Sequence, residues 1–85
     1  MPKKNKNIHM VVCRRPNSEA LSFWPPNIYH GRVEAIAKFE RAFGQCEDFG
    51  FIQRKEYCDQ TGQLLFFVTS AGFRWQLYLD LEPND

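Results

Sequence analysis

The chain has 85 residues, of which 44% are hydrophobic and 25% charged, with 11 Lys or Arg against 10 Asp or Glu. Such a length closes over one modest core and excludes the paired halves of a dinucleotide enzyme, while the composition excludes wholesale disorder. The net charge of +1 conceals a division, because residues 1–41 hold eight basic and three acidic side chains and residues 42–85 hold three and seven, giving +5 and −4. Charge of this kind ordinarily serves solubility and association rate. Its sharper consequence is a polar molecule with one basic recognition surface.

Residues 1–7, which include Lys3, Lys4 and Lys6, read as a flexible basic tail. The stretch 8–13 that follows is interrupted by His9 and ends at Arg14-Arg15, so it is no export signal. No run approaches the roughly 18 apolar residues of a membrane span. The expected location is cytoplasmic, with no membrane partner.

The domain itself is expected over 8–82. Residues 8–13 favour a strand, with Val11 and Val12 stiff at χ1, and Pro16-Asn17-Ser18 supplies a turn. Residues 19–24 read as a short return strand, and Trp24-Pro25-Pro26-Asn27 as a rigid bend. From 31 to 43 the period becomes helical, placing Arg32, Ala35, Ile36, Phe39, Ala42 and Phe43 on one side and Glu34, Lys38 and Arg41 on the other. Gly44 reads as the helix stop. Segments 49–58, 63–70 and 73–81 read as three strands separated by turns at 59–62 and 70–72, with Gly50 as a strand irregularity. In the last strand Phe73, Trp75, Leu77, Leu79 and Leu81 alternate with Arg74, Gln76, Tyr78 and Asp80, so one face is dry. Residues 83–85 form an acidic end. The fold class is α+β: a single small domain with an antiparallel sheet of three to five strands packed on one side by one helix.

Catalytic chemistry finds no constellation. Cys13, Cys46 and Cys58 are odd in number and lack C-x-x-C spacing, and His9 and His30 lie far apart, so neither a disulfide framework nor a metal site is expected. Glu34, Glu40, Glu47 and Asp48 read as solvated charges, and no phosphate-binding glycine loop is present. The chain is therefore read as non-enzymatic, with no cofactor.

Two binding readings remain. In the first, the chain is a protein-binding or inhibitory adaptor whose partner is another protein with an acidic surface, or a second copy of itself. Its contacts would be Arg74, Gln76, Tyr78, Tyr57, Arg14, Arg15 and Tyr29, because rigid aromatics and arginines dominate interface energetics. The outward row Arg74, Gln76, Tyr78 is the leading surface, with Trp75 turned into the core. In the second, the chain binds single-stranded nucleic acid through Lys3, Lys4, Lys6, Lys38, Arg41, Arg54 and Lys55 with Phe49 and Phe51.

Asp48-Phe49-Gly50-Phe51-Ile52, with Leu65-Phe66-Phe67-Val68 further on, resembles the two nucleic-acid-binding strand motifs of the cold-shock domain. That resemblance implies that Phe49, Phe51 and Phe66 or Phe67 stack on bases. The two motifs are nine of the 85 residues. A helix is expected where that family has its first strand, and no basic glycine-rich approach precedes Phe49, so the family is not assigned. The plainer expectation is that these phenylalanines lie in the core under the helix.

Overall fold

Alternation in the last strand sets the layers of the molecule. The computed structural model describes residues 7–17 and 27–82. The strand expected at 19–24, Trp24, the tail lysines Lys3, Lys4 and Lys6, and the acidic end lie outside them. In chain order the elements are β1 (Ile8–Arg14), β2 (Asn27–Tyr29), α1 (Arg32–Asp48), β3 (Ile52–Tyr57), β4 (Leu64–Thr69) and β5 (Arg74–Leu81). They form one five-stranded sheet in the order β2-β1-β5-β4-β3, with every neighbouring pair antiparallel and α1 against one face.

The core is the contact between α1 and that face. Ala35 and Phe39 from α1 meet Val11, Leu64, Phe67 and Leu77 from the sheet, all buried, with Ile36, Ala42, Phe43 and Cys46 continuing the helical stripe. Burial of such side chains stabilises the fold by about 1.5–3 kcal/mol each. Phe67 is the hub: its ring centroid lies 5.3 Å from those of Phe39 and Phe43 and 5.7 Å from that of Trp75, with which it stacks. Trp75 therefore faces the helix, as its position in the alternation expects.

The helix does not stop at Gly44 but runs through it to Asp48. The apolar stripe extends one turn further, to Cys46, and docking that turn outweighs the roughly 1 kcal/mol a mid-helix glycine costs. The stop is Gly50, at φ +73°, and not the strand irregularity expected there. Its N–H donates to the Glu47 carbonyl at 2.9 Å and the Phe51 N–H to the Cys46 carbonyl at 2.8 Å, the paired bonds of a Schellman cap. Consequently Phe49 ends the helix and β3 begins at Ile52, three residues later than the expected strand start.

A second departure interrupts β5. Val11 pairs with Leu77 and Met10 with Tyr78, yet Ile8 pairs with Leu81, so β5 carries one extra residue there. Asp80 takes φ +59°, a left-handed conformation suited to a bulge and tolerated by Asp. The buried His9 completes it: the Asp80 N–H donates to His9 Nδ1 at 3.0 Å. Asp80 also accepts from Arg32 Nε at 3.3 Å, tying the start of α1 to the end of the sheet. Replacing His9 by leucine preserves bulk and removes the acceptor, so His9→Leu is expected to lower unfolding stability by about 1–3 kcal/mol in urea titration. An unchanged midpoint would show that the imidazole is not what satisfies this bulge.

Candidate functional site

Strand register carries a set of side chains to the face away from α1. Arg54 pairs with Val68, Val68 with Arg74, and Arg74 with Arg14, which makes one row across β3, β4, β5 and β1. Side chains of paired residues share a face, and strands are spaced by about 4.8 Å, so the row spans about 14 Å and holds three guanidinium groups. The next row is Glu56, Phe66, Gln76 and Val12. Beyond it Tyr78, Met10 and Ile28 form a third.

These rows are knitted together. Arg14 Nη2 donates to the Tyr78 hydroxyl at 3.2 Å, and that hydroxyl donates to Gln76 Oε1 at 3.4 Å. The Arg14–Tyr78 bond joins the first row to the third, placing Val12 between its ends; Val12 is 0% exposed although it faces away from the helix. Arg74 Nη2 donates to the Arg15 carbonyl at 3.1 Å. Arg54 lies over the Phe66 ring at 5.3 Å, a cation–π contact, and stands 3.8 Å from the exposed Glu56 carboxylate.

A groove of about 770 Å³ opens between Arg54 and Arg74 over Val68. It is closed at one end by Pro16, Asn17 and the β4–β5 turn, Ser70 to Gly72. Gly72 is at φ +94°, and a Cβ there would come within 3.1 Å of the Pro16 Cβ, so glycine lets the turn pack against β1's exit. The same turn is tied to the helix exit, since the Ser70 N–H donates to the Phe51 carbonyl at 2.6 Å. Phe51, Thr69, Ser70 and Ala71 line a smaller, mainly apolar hollow of about 370 Å³ that shares Ser70 and Ala71 with the groove.

The structure thus gathers Arg14, Arg54, Arg74, Gln76, Tyr78 and Phe66, all of them singled out in the sequence. Arg15 is exposed beside them. Tyr29 sits on the helix side, half-buried against the core. Tyr57 is at the end of β3, exposed, with Lys55 Nζ 5.9 Å from its ring. Lys55 belongs to the helix side too, 5.6 Å over Phe43 and 3.6 Å from Glu47. Lys38 and Arg41 are exposed on α1, the layer behind the sheet.

Phe49 and Phe51 correct the expectation that they are core. They are 73% and 52% exposed and stack on one another with centroids 5.7 Å apart. The Schellman cap explains this, because it places them in the helix exit and not in a strand under α1. Of the other pair, Phe67 is core and Phe66 faces away from the helix.

Among the described residues no group of three or more His, Cys, Asp or Glu side chains is placed to hold a metal ion, and no helix is long and apolar enough to cross a membrane. Comparisons with protein-family models, curated proteins and solved structures found no match.

The cysteines form no disulfide. Burial, followed by the proximity of Cys46, pushes the Cys13 thiol up to about 11, and burial raises that of Cys46. Cys58 is pulled down, first by the Thr61 hydroxyl and then by backbone N–H groups of the same turn. Iodoacetamide at about pH 8 should therefore label Cys58 first and Cys13 last, since the thiolate is the nucleophile. Thr61→Val should slow the Cys58 reaction, as followed by mass spectrometry of the peptides. The raised Cys13 value means that the unfolded chain, with its thiol near 9.0, releases this proton before the folded one. Its contribution to stability is whole below 9.0 and lost as pH rises towards about 11.

Proposed function

We propose that this protein is a non-catalytic binding module that holds an anionic partner on the sheet face away from α1. The observation that carries the proposal is the row Arg54, Val68, Arg74, Arg14, three guanidinium groups brought from three strands to one line. Two of them are positioned by neutral acceptors: Arg14 donates to the Tyr78 hydroxyl and Arg74 to the Arg15 carbonyl. The one carboxylate in the adjoining row, Glu56, is exposed and 3.8 Å from Arg54, a separation at which a surface pair contributes little.

This reading keeps the adaptor's Arg14 and Arg74, adds Arg54 from the nucleic-acid reading, and leaves out Tyr29 and Tyr57. A second copy of the chain is disfavoured as occupant, because a two-fold interface would set like-charged faces against each other. The sheet edges argue in the same direction. β2 has three residues, and β3 presents Arg54, Lys55 and Glu56, the charged edge that discourages strand pairing.

Titration of the full chain into fluorescently labelled inorganic polyphosphate at low salt is expected to give saturable binding that weakens as salt rises. Arg54→Glu should abolish it, and Arg54→Gln should weaken it by about threefold to tenfold, as expected for one lost charge-assisted contact. Lys38→Gln, on the opposite layer, should leave it unchanged. Equal loss for Arg54→Glu and Lys38→Glu would show diffuse attraction and overturn the assignment of the face.

A further inference from the structure

The exit of α1 carries exposed groups that the arginine row does not use. We propose that it is a second docking site, which takes a basic segment of a partner protein: an apolar side chain of that segment enters the hollow beside Phe51, and a Lys or Arg close to it in sequence reaches Asp48. The site is independent of the anionic-partner reading, since it uses none of the row's side chains and takes a ligand of opposite charge.

Two observations carry it, and the first is apolar surface held in water. Phe49 and Phe51 are both exposed, and they stack with centroids 5.7 Å apart. Backbone bonds fix them there: the cap bonds of Gly50 and Phe51 set the exit of α1, and the Ser70 N–H, 2.6 Å from the Phe51 carbonyl, ties it to the β4–β5 turn. Phe51 forms one wall of the hollow of about 370 Å³, whose other walls are Thr69, Ser70 and Ala71. That volume lies at the small end of ligand cavities, which run from about 300 to 1,000 Å³, and suits an inserted side chain. A fixed aromatic wall beside a preformed apolar hollow is the kind of anchor that dominates protein–protein binding, with little ordering left for binding to impose.

The second observation is the sign of the charge beside that wall. α1 ends on Glu47 and Asp48, with no basic residue in its last turn. The carbonyl end of a helix is the negative end of its dipole, so both carboxylates stand where they are unfavourable and add to its field. Lys55 Nζ lies 3.6 Å from Glu47 and offsets it. Among the described residues the exposed Asp48 carboxylate has no such cation. Asp48 precedes Phe51 by three residues, so their Cα atoms are at most about 11 Å apart, and less here because the chain turns back at the cap. A basic residue within about three positions of the apolar anchor therefore reaches both groups.

Charge also decides between occupants. The phosphates of nucleic acid and of anionic lipid are repelled by Glu47, Asp48 and the helix end between them. A second copy in two-fold contact would bring its own Glu47 and Asp48 to the same patch, like against like. A cationic segment with an apolar anchor covers the exposed phenylalanine and supplies the missing positive charge at the end of α1.

The test offers the full chain three fluorescein-labelled peptides of about ten residues in a Gly-Ser background. One carries Leu and Trp beside a pair of Arg, one carries the same apolar residues beside a pair of Glu, and one carries the Arg pair alone. The first is expected to bind at least about tenfold more tightly than either of the others, and to shift the amide NMR signals of residues 48–51 and 69–71. Asp48→Lys and Phe51→Ala should each weaken that binding by about tenfold. Asp48→Lys puts a favourable charge at the helix end and should keep or raise the melting temperature, so its loss of binding is not a loss of fold. Phe51→Ala should leave binding of inorganic polyphosphate unchanged, which separates this site from the arginine row. Equal binding of the basic peptides with and without Leu and Trp shows diffuse attraction and overturns the proposal. Preference for the acidic peptide, insensitivity to either substitution, or failure of all the peptides to bind overturns it as well. A dimer in light scattering that Phe51→Ala dissociates overturns it in favour of a second copy.

Discussion

The pairing of β1 with β5 is the constraint on which the rest depends. No turn enforces it, since Arg14 and its partner Arg74 are separated by most of the domain. It is held instead by what the two strands put on their faces. Towards α1, Val11 meets Leu77 and Cys13 meets Trp75; away from it, Val12 is enclosed opposite Gln76. A shift of β1 by one residue against β5 would turn its side chains over, exposing Val11 and burying Arg14. Burial of the apolar set therefore selects the register that aligns the arginines. The extra residue at Asp80, filled by His9, lets Ile8 regain a partner after the bulge.

Folding also redistributes the charge. Among the described residues the division into a +5 and a −4 half is not kept, because the arginine row draws Arg14 from the first half and Arg54 and Arg74 from the second. Arg32 is withdrawn towards Asp80 and Lys55 towards Glu47, both on the helix side or at the end of the sheet. Among the described residues, strand register and not sequence position brings these three arginines into one row. Counting charge along the chain misses it because strand pairing, which runs across the chain, decides which charges become neighbours.

The period of two in β5 made the layers legible, together with the outward row Arg74, Gln76, Tyr78 and the inward place of Trp75. The helical stripe from Ala35 to Phe43 was legible for the same reason, as both signals are local and repeat. Where the helix ends was not, because Gly44 and Gly50 are equivalent as isolated residues; only the docking of Cys46 and the two cap bonds to Cys46 and Glu47 distinguish them. The exposure of Phe49 and Phe51 follows from that boundary. Arg14 and Arg54 were named as separate candidates, and their alignment with Arg74 depended on two long-range registers that no spacing encodes. His9 gave no signal, since its role requires a bulge in a strand 71 residues away.

The same hydrogen bonds that order the arginine face reduce the entropy that binding must overcome. A solvated arginine gives up about 2 kcal/mol of rotamer freedom when fully fixed. Arg14 is already directed by Tyr78, Arg74 by the Arg15 carbonyl, and Arg54 by the Phe66 ring. The arrangement orients the guanidinium groups, and Arg54 stands besides 3.8 Å from the exposed Glu56 carboxylate. The same arrangement makes the aromatic residues part of the electrostatic surface, since Tyr78 and Phe66 position the arginines whose neighbouring rows they occupy.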